Sequence, residues 1–128
     1  MGGCMEFIME EKINELIESG NIEQALKLQG QLYLIQQSEY ISTLIGKRKL
    51  SEALKVCNQY EDYEPIQSQK VTILIEQGKL SEALKVCNQY EDYEPMQSQK
   101  VTILMKRGKL QEAFDVCSQK KYRSKYLN

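Results

Sequence analysis

The stretch KLSEALKVCNQYEDYEP at Lys49–Pro65 stands again, letter for letter, at Lys79–Pro95. Extended outward, residues 49–78 and 79–108 differ only at Ile66/Met96, Ile75/Met105, Glu76/Lys106 and Gln77/Arg107, so 26 of 30 positions are identical. A looser copy precedes them, GNIEQALKL (Gly20–Leu28) against GKLSEALKV (Gly78–Val86), with IQQSEYISTLI (Ile35–Ile45) against the stretch Pro65–Ile75. A fading copy follows at GKLQEAFDVCSQ (Gly108–Gln119). Self-similarity at a fixed period of this size marks a chain built from stacked supersecondary units.

Each unit reads as two helices. In YEPIQSQKVTILIEQ (Tyr63–Gln77), Ile66, Val71, Leu74 and Ile75 give one broad apolar face, and the stem of Lys70 lies along it. Asp62 is placed to cap its start, Pro65 suits a first turn whose N–H groups lack helical partners, and Gly78 suits a left-handed C-terminal stop. In LSEALKVCNQY (Leu80–Tyr90), Leu80, Ala83, Leu84, Cys87 and Tyr90 fall on one stripe. The two-residue link Gly78-Lys79 makes the pair an αα-hairpin.

The run EQGKLSEAL, with Ala83, Cys87 and Pro95, resembles a tetratricopeptide repeat (TPR) in its second helix. In that family a small residue lets the paired helices approach and a proline opens the next unit. The period here is 30 against about 34 in the family, Cys87 replaces the usual aromatic, and Gln67, Lys70, Val71 and Leu74 stand where the first-helix signature belongs. The resemblance covers residues 5–119 and implies an all-α fold, a TPR-like α-solenoid of four helix-turn-helix hairpins. They would lie at about 5–30, 33–60, 63–90 and 93–119, with 120–128 as a basic C-terminal cap or tail. It also implies a concave wall lined by first helices, on which Ile17, Ile45, Ser68, Thr72, Ile75, Glu76, Ser98, Thr102, Met105 and Lys106 would meet a protein or peptide partner, with Glu10, Asn14, Glu18, Ser38 and Ser42 beside them. Against this stands the alternative that the apolar column Ile17, Ile45, Ile75, Met105 is buried between first helices.

Composition narrows the function. The chain has no His, no Gly-rich phosphate loop and no nucleophile beside a base, so no catalytic constellation, metal or cofactor is expected. Cys57, Cys87 and Cys117 recur at the repeat period. Equivalent positions in stacked hairpins lie roughly 10 Å apart, too far for a disulfide, so they read as packing residues. No apolar run reaches the ~20 residues of a membrane span, and no export signal opens the chain. The start MGGCME places Glu6 where a myristoylation signal wants Ser or Thr. A cytoplasmic setting with reduced thiols follows as the expectation.

Net charge is −1, but residues 1–24 carry six Glu against one Lys, and residues 100–128 carry eight Lys/Arg against two acids. The second possibility is nucleic-acid contact, or inhibition of a nucleic-acid enzyme, through Lys120, Lys121, Arg123 and Lys125 of the basic tail. A third, opened by the acidic head and basic tail together, is homo-oligomerisation through the terminal hairpins. The tyrosines and acids of NQYEDYEP read either as packing or as an edge for a basic partner. The leading expectation is a non-enzymatic interaction module: adaptor, scaffold or inhibitor.

Overall fold

The computed structural model describes residues 2–119, and the basic segment 120–128 lies outside them. Among the described residues seven helices follow one another: α1 (Gly2–Glu18), α2 (Ile22–Gly46), α3 (Leu50–Cys57), α4 (Glu64–Glu76), α5 (Leu80–Gln89), α6 (Glu94–Lys106) and α7 (Leu110–Cys117). No strand occurs among these residues. Each helix packs on the next in sequence, and α2, α4 and α6 also touch in series. The fold is all-α.

Four chain reversals share one backbone device. At Gly78 (φ +78°) the N–H bonds to Ile75 O at 3.0 Å, while Lys79 N–H reaches Leu74 O at 2.8 Å. This is a Schellman closure, which satisfies carbonyls that the helix end would otherwise orphan. Gly20 and Gly108 repeat it at φ +84° and +74°. Arg48 makes the same two bonds at φ +61°, where a Cβ is strained. The helices after these turns begin without any side-chain cap.

The links from α3 to α4 and from α5 to α6 are built differently. Pro65 and Pro95 sit in the first helical turn, as expected, but Tyr63 and Tyr93 hold the N-cap positions and no side chain caps them, Asp62 included. The stabilising groups come from inside the next helix. Gln67 Nε2 donates to Cys57 O (2.9 Å) and Tyr60 O (3.0 Å), and Gln97 Nε2 donates to Cys87 O (3.0 Å) and Tyr90 O (3.1 Å). Both glutamines are buried, and their amides close the C-terminal ends of α3 and α5.

The hairpin boundary expected between residues 30 and 33 is not a break. α2 runs through it without interruption. The cause is readable in the spacing: Gly20 and Arg48 are 28 residues apart, whereas Arg48, Gly78 and Gly108 are 30 apart. The two missing residues are the counterparts of Glu61 and Asp62, and Ile35 replaces the helix-opening proline. Without the turn residues or the proline, nothing stops the helix.

The core is a series of clusters between neighbouring helices. Ile41, Leu44, Ala53, Cys57, Ile66 and Ile73 form one, and Val71, Leu74, Ala83, Val86, Cys87, Met96 and Ile103 the next. A smaller cluster (Ile13, Ala25, Leu32) joins α1 to α2, and another (Leu104, Ala113, Val116) joins α6 to α7. Ile73 and Ile103 belong to the cluster of the preceding helix pair, so each pair is closed by its successor.

Candidate partner-binding faces

Between successive first helices the structure builds a polar rung. Gln69 Nε2 donates to Ser38 O and Ser42 Oγ (2.9 Å each), and Ser38 Oγ donates back to Gln69 Oε1 at 3.0 Å. One repeat later Gln99 Nε2 donates to Ser68 O and Thr72 Oγ1 (3.0 Å each), and Ser68 Oγ returns a bond to Gln99 Oε1 at 2.7 Å. An amide that gives and accepts at once fixes the axial register of one helix against the next.

This rung engages part of the expected wall. Ser68 and Thr72 are half-buried and engaged with Gln99. Ile45 and Ile75 are half-buried and pack against the inter-helix clusters. Glu76 is exposed and pairs with Arg48 at 3.1 Å. Ser98 and Thr102 occupy the same positions one unit on, but their hydroxyls bond only to carbonyls of their own helix, Glu94 O and Ser98 O. Met105 and Lys106 are exposed, and so is Ile17. Lys120, Lys121, Arg123 and Lys125 lie outside the described residues.

The expected apolar sites therefore divide into a half-buried middle and two open ends. Each pair of helices presents three apolar residues toward its successor. In the middle these are Ile45, Leu50 and Leu54, then Ile75, Leu80 and Leu84, all half-buried and packed on clusters to which the next first helix contributes Ile66 and Ile73, or Met96 and Ile103. On α6 and α7 the equivalents are Met105, Leu110 and Phe114, which stand 57%, 65% and 56% exposed. On α1 and the start of α2 they are Ile17, Ile22 and Leu26, at 50%, 50% and 68%. The first face is open because α2 carries the chain straight on. Ile13, Ala25 and Gln29 complete a groove of about 240 Å³ around it.

Four of these end-face residues were not singled out from sequence. Ile22, Leu26, Leu110 and Phe114 have the spacing of ordinary core residues, and among the described residues no helix pair covers them. The glutamines were missed too, although their recurrence at 67/97 and 69/99 carried the signal.

The remaining candidates resolve into packing. Tyr60 and Tyr63, and likewise Tyr90 and Tyr93, lie against the core clusters. Tyr60 meets Tyr33 edge-on at 6.2 Å with the hydroxyls 3.0 Å apart, and Tyr90 OH donates to Glu61 O at 2.6 Å. Burial, then the carboxylates of Glu61, Asp62 and Glu64, pushes the Tyr90 phenol up. Burial likewise pushes the Cys57 and Cys87 thiols up to about 11, against a partial opposing pull from Lys70 and Lys100. They stay protonated at neutral pH and are poor nucleophiles. Among the described residues no acidic or sulfur group clusters to hold a metal, and no helix is long and apolar enough to cross a membrane. No protein-family model, curated protein or solved structure matches the chain.

Proposed function

We propose that the chain is a non-enzymatic protein-interaction module, a TPR-like α-solenoid of shortened repeats, whose partner docks on its uncovered faces rather than along the whole inner wall. One observation carries this reading. Met105, Leu110 and Phe114 repeat, position for position, a surface that the same chain covers with helices elsewhere, yet they stand more than half exposed. A contiguous apolar surface of that kind is costly to leave in water and is the usual mark of a docking site. Ile17, Ile22 and Leu26 support it as a second surface of the same design. The buried, protonated thiols fit a reducing, cytoplasmic setting.

A photo-reactive residue placed at Phe114, at Leu26, or at the exposed control Lys85 on α5 tests the reading in the protein's own cell extract. Protein adducts at the two faces and none at Lys85 are expected. Adducts at Lys85 alone, or at none of the three, would remove the faces from consideration.

A further inference from the structure

We infer that the occupant of these faces is a second copy of the chain, the head face of one molecule docking on the tail face of the next. This rests on the reading of the faces as docking sites and adds what fills them. The two surfaces are built from equivalent positions: Ile17, Ile22 and Leu26 at the head, Met105, Leu110 and Phe114 at the tail. Their rims, however, carry opposite charge. Glu18 stands where the tail has Lys106, and Lys27 stands where the tail has Asp115. Glu18 and Glu23 adjoin Ile17 and Ile22 in the chain, and Glu10 lines a hollow with Ile13 and Gln29, while Lys106, Arg107 and Lys109 surround the tail turn; all of these acids and bases are exposed.

Charge favours one pairing. Where equivalent positions meet, two heads would set Glu18 on Glu18 and Lys27 on Lys27, and two tails Lys106 on Lys106 and Asp115 on Asp115, whereas head on tail pairs Glu18 with Lys106 and Lys27 with Asp115. Head on tail places unlike rims together around two apolar centres of equal design. Such a contact is heterologous, so it propagates into open chains or closes into a ring. The acidic excess over residues 1–24, six Glu to one Lys, gives the approach a directional field as well.

The test is sedimentation velocity over a concentration series at low and high salt, with circular dichroism confirming that each variant stays helical. The native chain should exceed its 14.9 kDa monomer mass with rising concentration. High salt should weaken the association by screening the rims. Leu26→Asp or Phe114→Asp should each weaken it at least about tenfold, as loss of an interface anchor does. Two charge reversals make the direction visible. A chain with Glu18→Lys and Glu23→Lys, and a chain with Lys106→Glu and Arg107→Glu, should each be monomeric alone, yet associate when mixed, because the acidic tail of one then meets the basic head of the other. A native chain that stays monomeric throughout, or a mixture that stays as monomeric as its components, overturns the inference. If the chain is monomeric while the photo-reactive residues still capture another protein, the docking faces stand and only the second copy is lost.

Discussion

Replacing Gln97 with leucine isolates the device that closes α5 on α6. The Gln97 side chain is 2% exposed, and its amide holds two carbonyls at 3.0 and 3.1 Å. Each neutral bond contributes about 1 kcal/mol net. The carbonyls are not wholly orphaned by the change, since Cys87 O still accepts from Tyr90 N–H at 3.2 Å and Tyr90 O from Tyr93 N–H at 3.1 Å. That places the loss at about 2 kcal/mol, reduced somewhat by the better burial of leucine. A fall of about 4–10 °C in Tm follows for a chain of this size. Gln97→Glu should cost more, because a carboxylate has no proton for either carbonyl and must itself be buried. Urea unfolding followed by circular dichroism gives both values. The same change at Gln67 should add nearly independently, as the two amides share no partner. A Gln97→Leu chain as stable as the parent, with an unchanged urea slope, would refute the assignment of these amides as the closure of the helix ends.

Three further outcomes follow from the geometry. Arg48→Gly should stabilise by about 0.5–1 kcal/mol, read as a higher urea midpoint, because it relieves the left-handed strain at φ +61° and forfeits only an exposed ion pair with Glu76. Cys4, which is exposed, should react promptly with a thiol reagent at pH 8, whereas Cys57 and Cys87 should react only at the rate at which the chain opens. Glu39 has its acidity lowered first by a hydrogen bond with Glu6, then by burial, then by the Glu6 charge. The folded chain thus holds this proton more tightly than the unfolded one, and the associated stability is present at low pH and lost as pH rises through the folded value. Glu39→Gln should keep the bond, and the difference in stability between variant and parent should grow from the ordinary glutamate value of 4.5 toward neutrality; a constant difference would show that the pair does not form.

The helix pairs were legible because their signals are local. Gly78 and Gly108 announce a left-handed stop, Pro65 and Pro95 announce a helix start, and although Val71, Ile73 and Ile75 alternate as in a strand, the flanking Glu, Gln and Lys favour α-helix. One place misled for an equally local reason: a two-residue deletion turns the expected break near residue 31 into the middle of α2. The turn inside the expected hairpin 33–60 is present, but Arg48 makes it without a glycine. The candidate wall was harder to read. Whether Ile75 faces a partner or the neighbouring helix depends on the rotation of α4 against α6, which the Ser68–Gln99–Thr72 rung fixes. That contact spans 31 residues of sequence and leaves no trace in the pattern of either helix by itself.

The equivalence of the tail face to the covered interior faces is the claim on which the rest depends. It is tested most directly by a chain in which residues 89–118 are repeated once more after Ser118. If Met105, Leu110 and Phe114 form the same acceptor surface as Ile75, Leu80 and Leu84, the added pair should dock on them. The longer chain should then unfold in one transition with a higher urea midpoint and a steeper slope, and Phe114→Asp should abolish the gain. An added pair that melts separately, or leaves the midpoint where it was, would contradict the account.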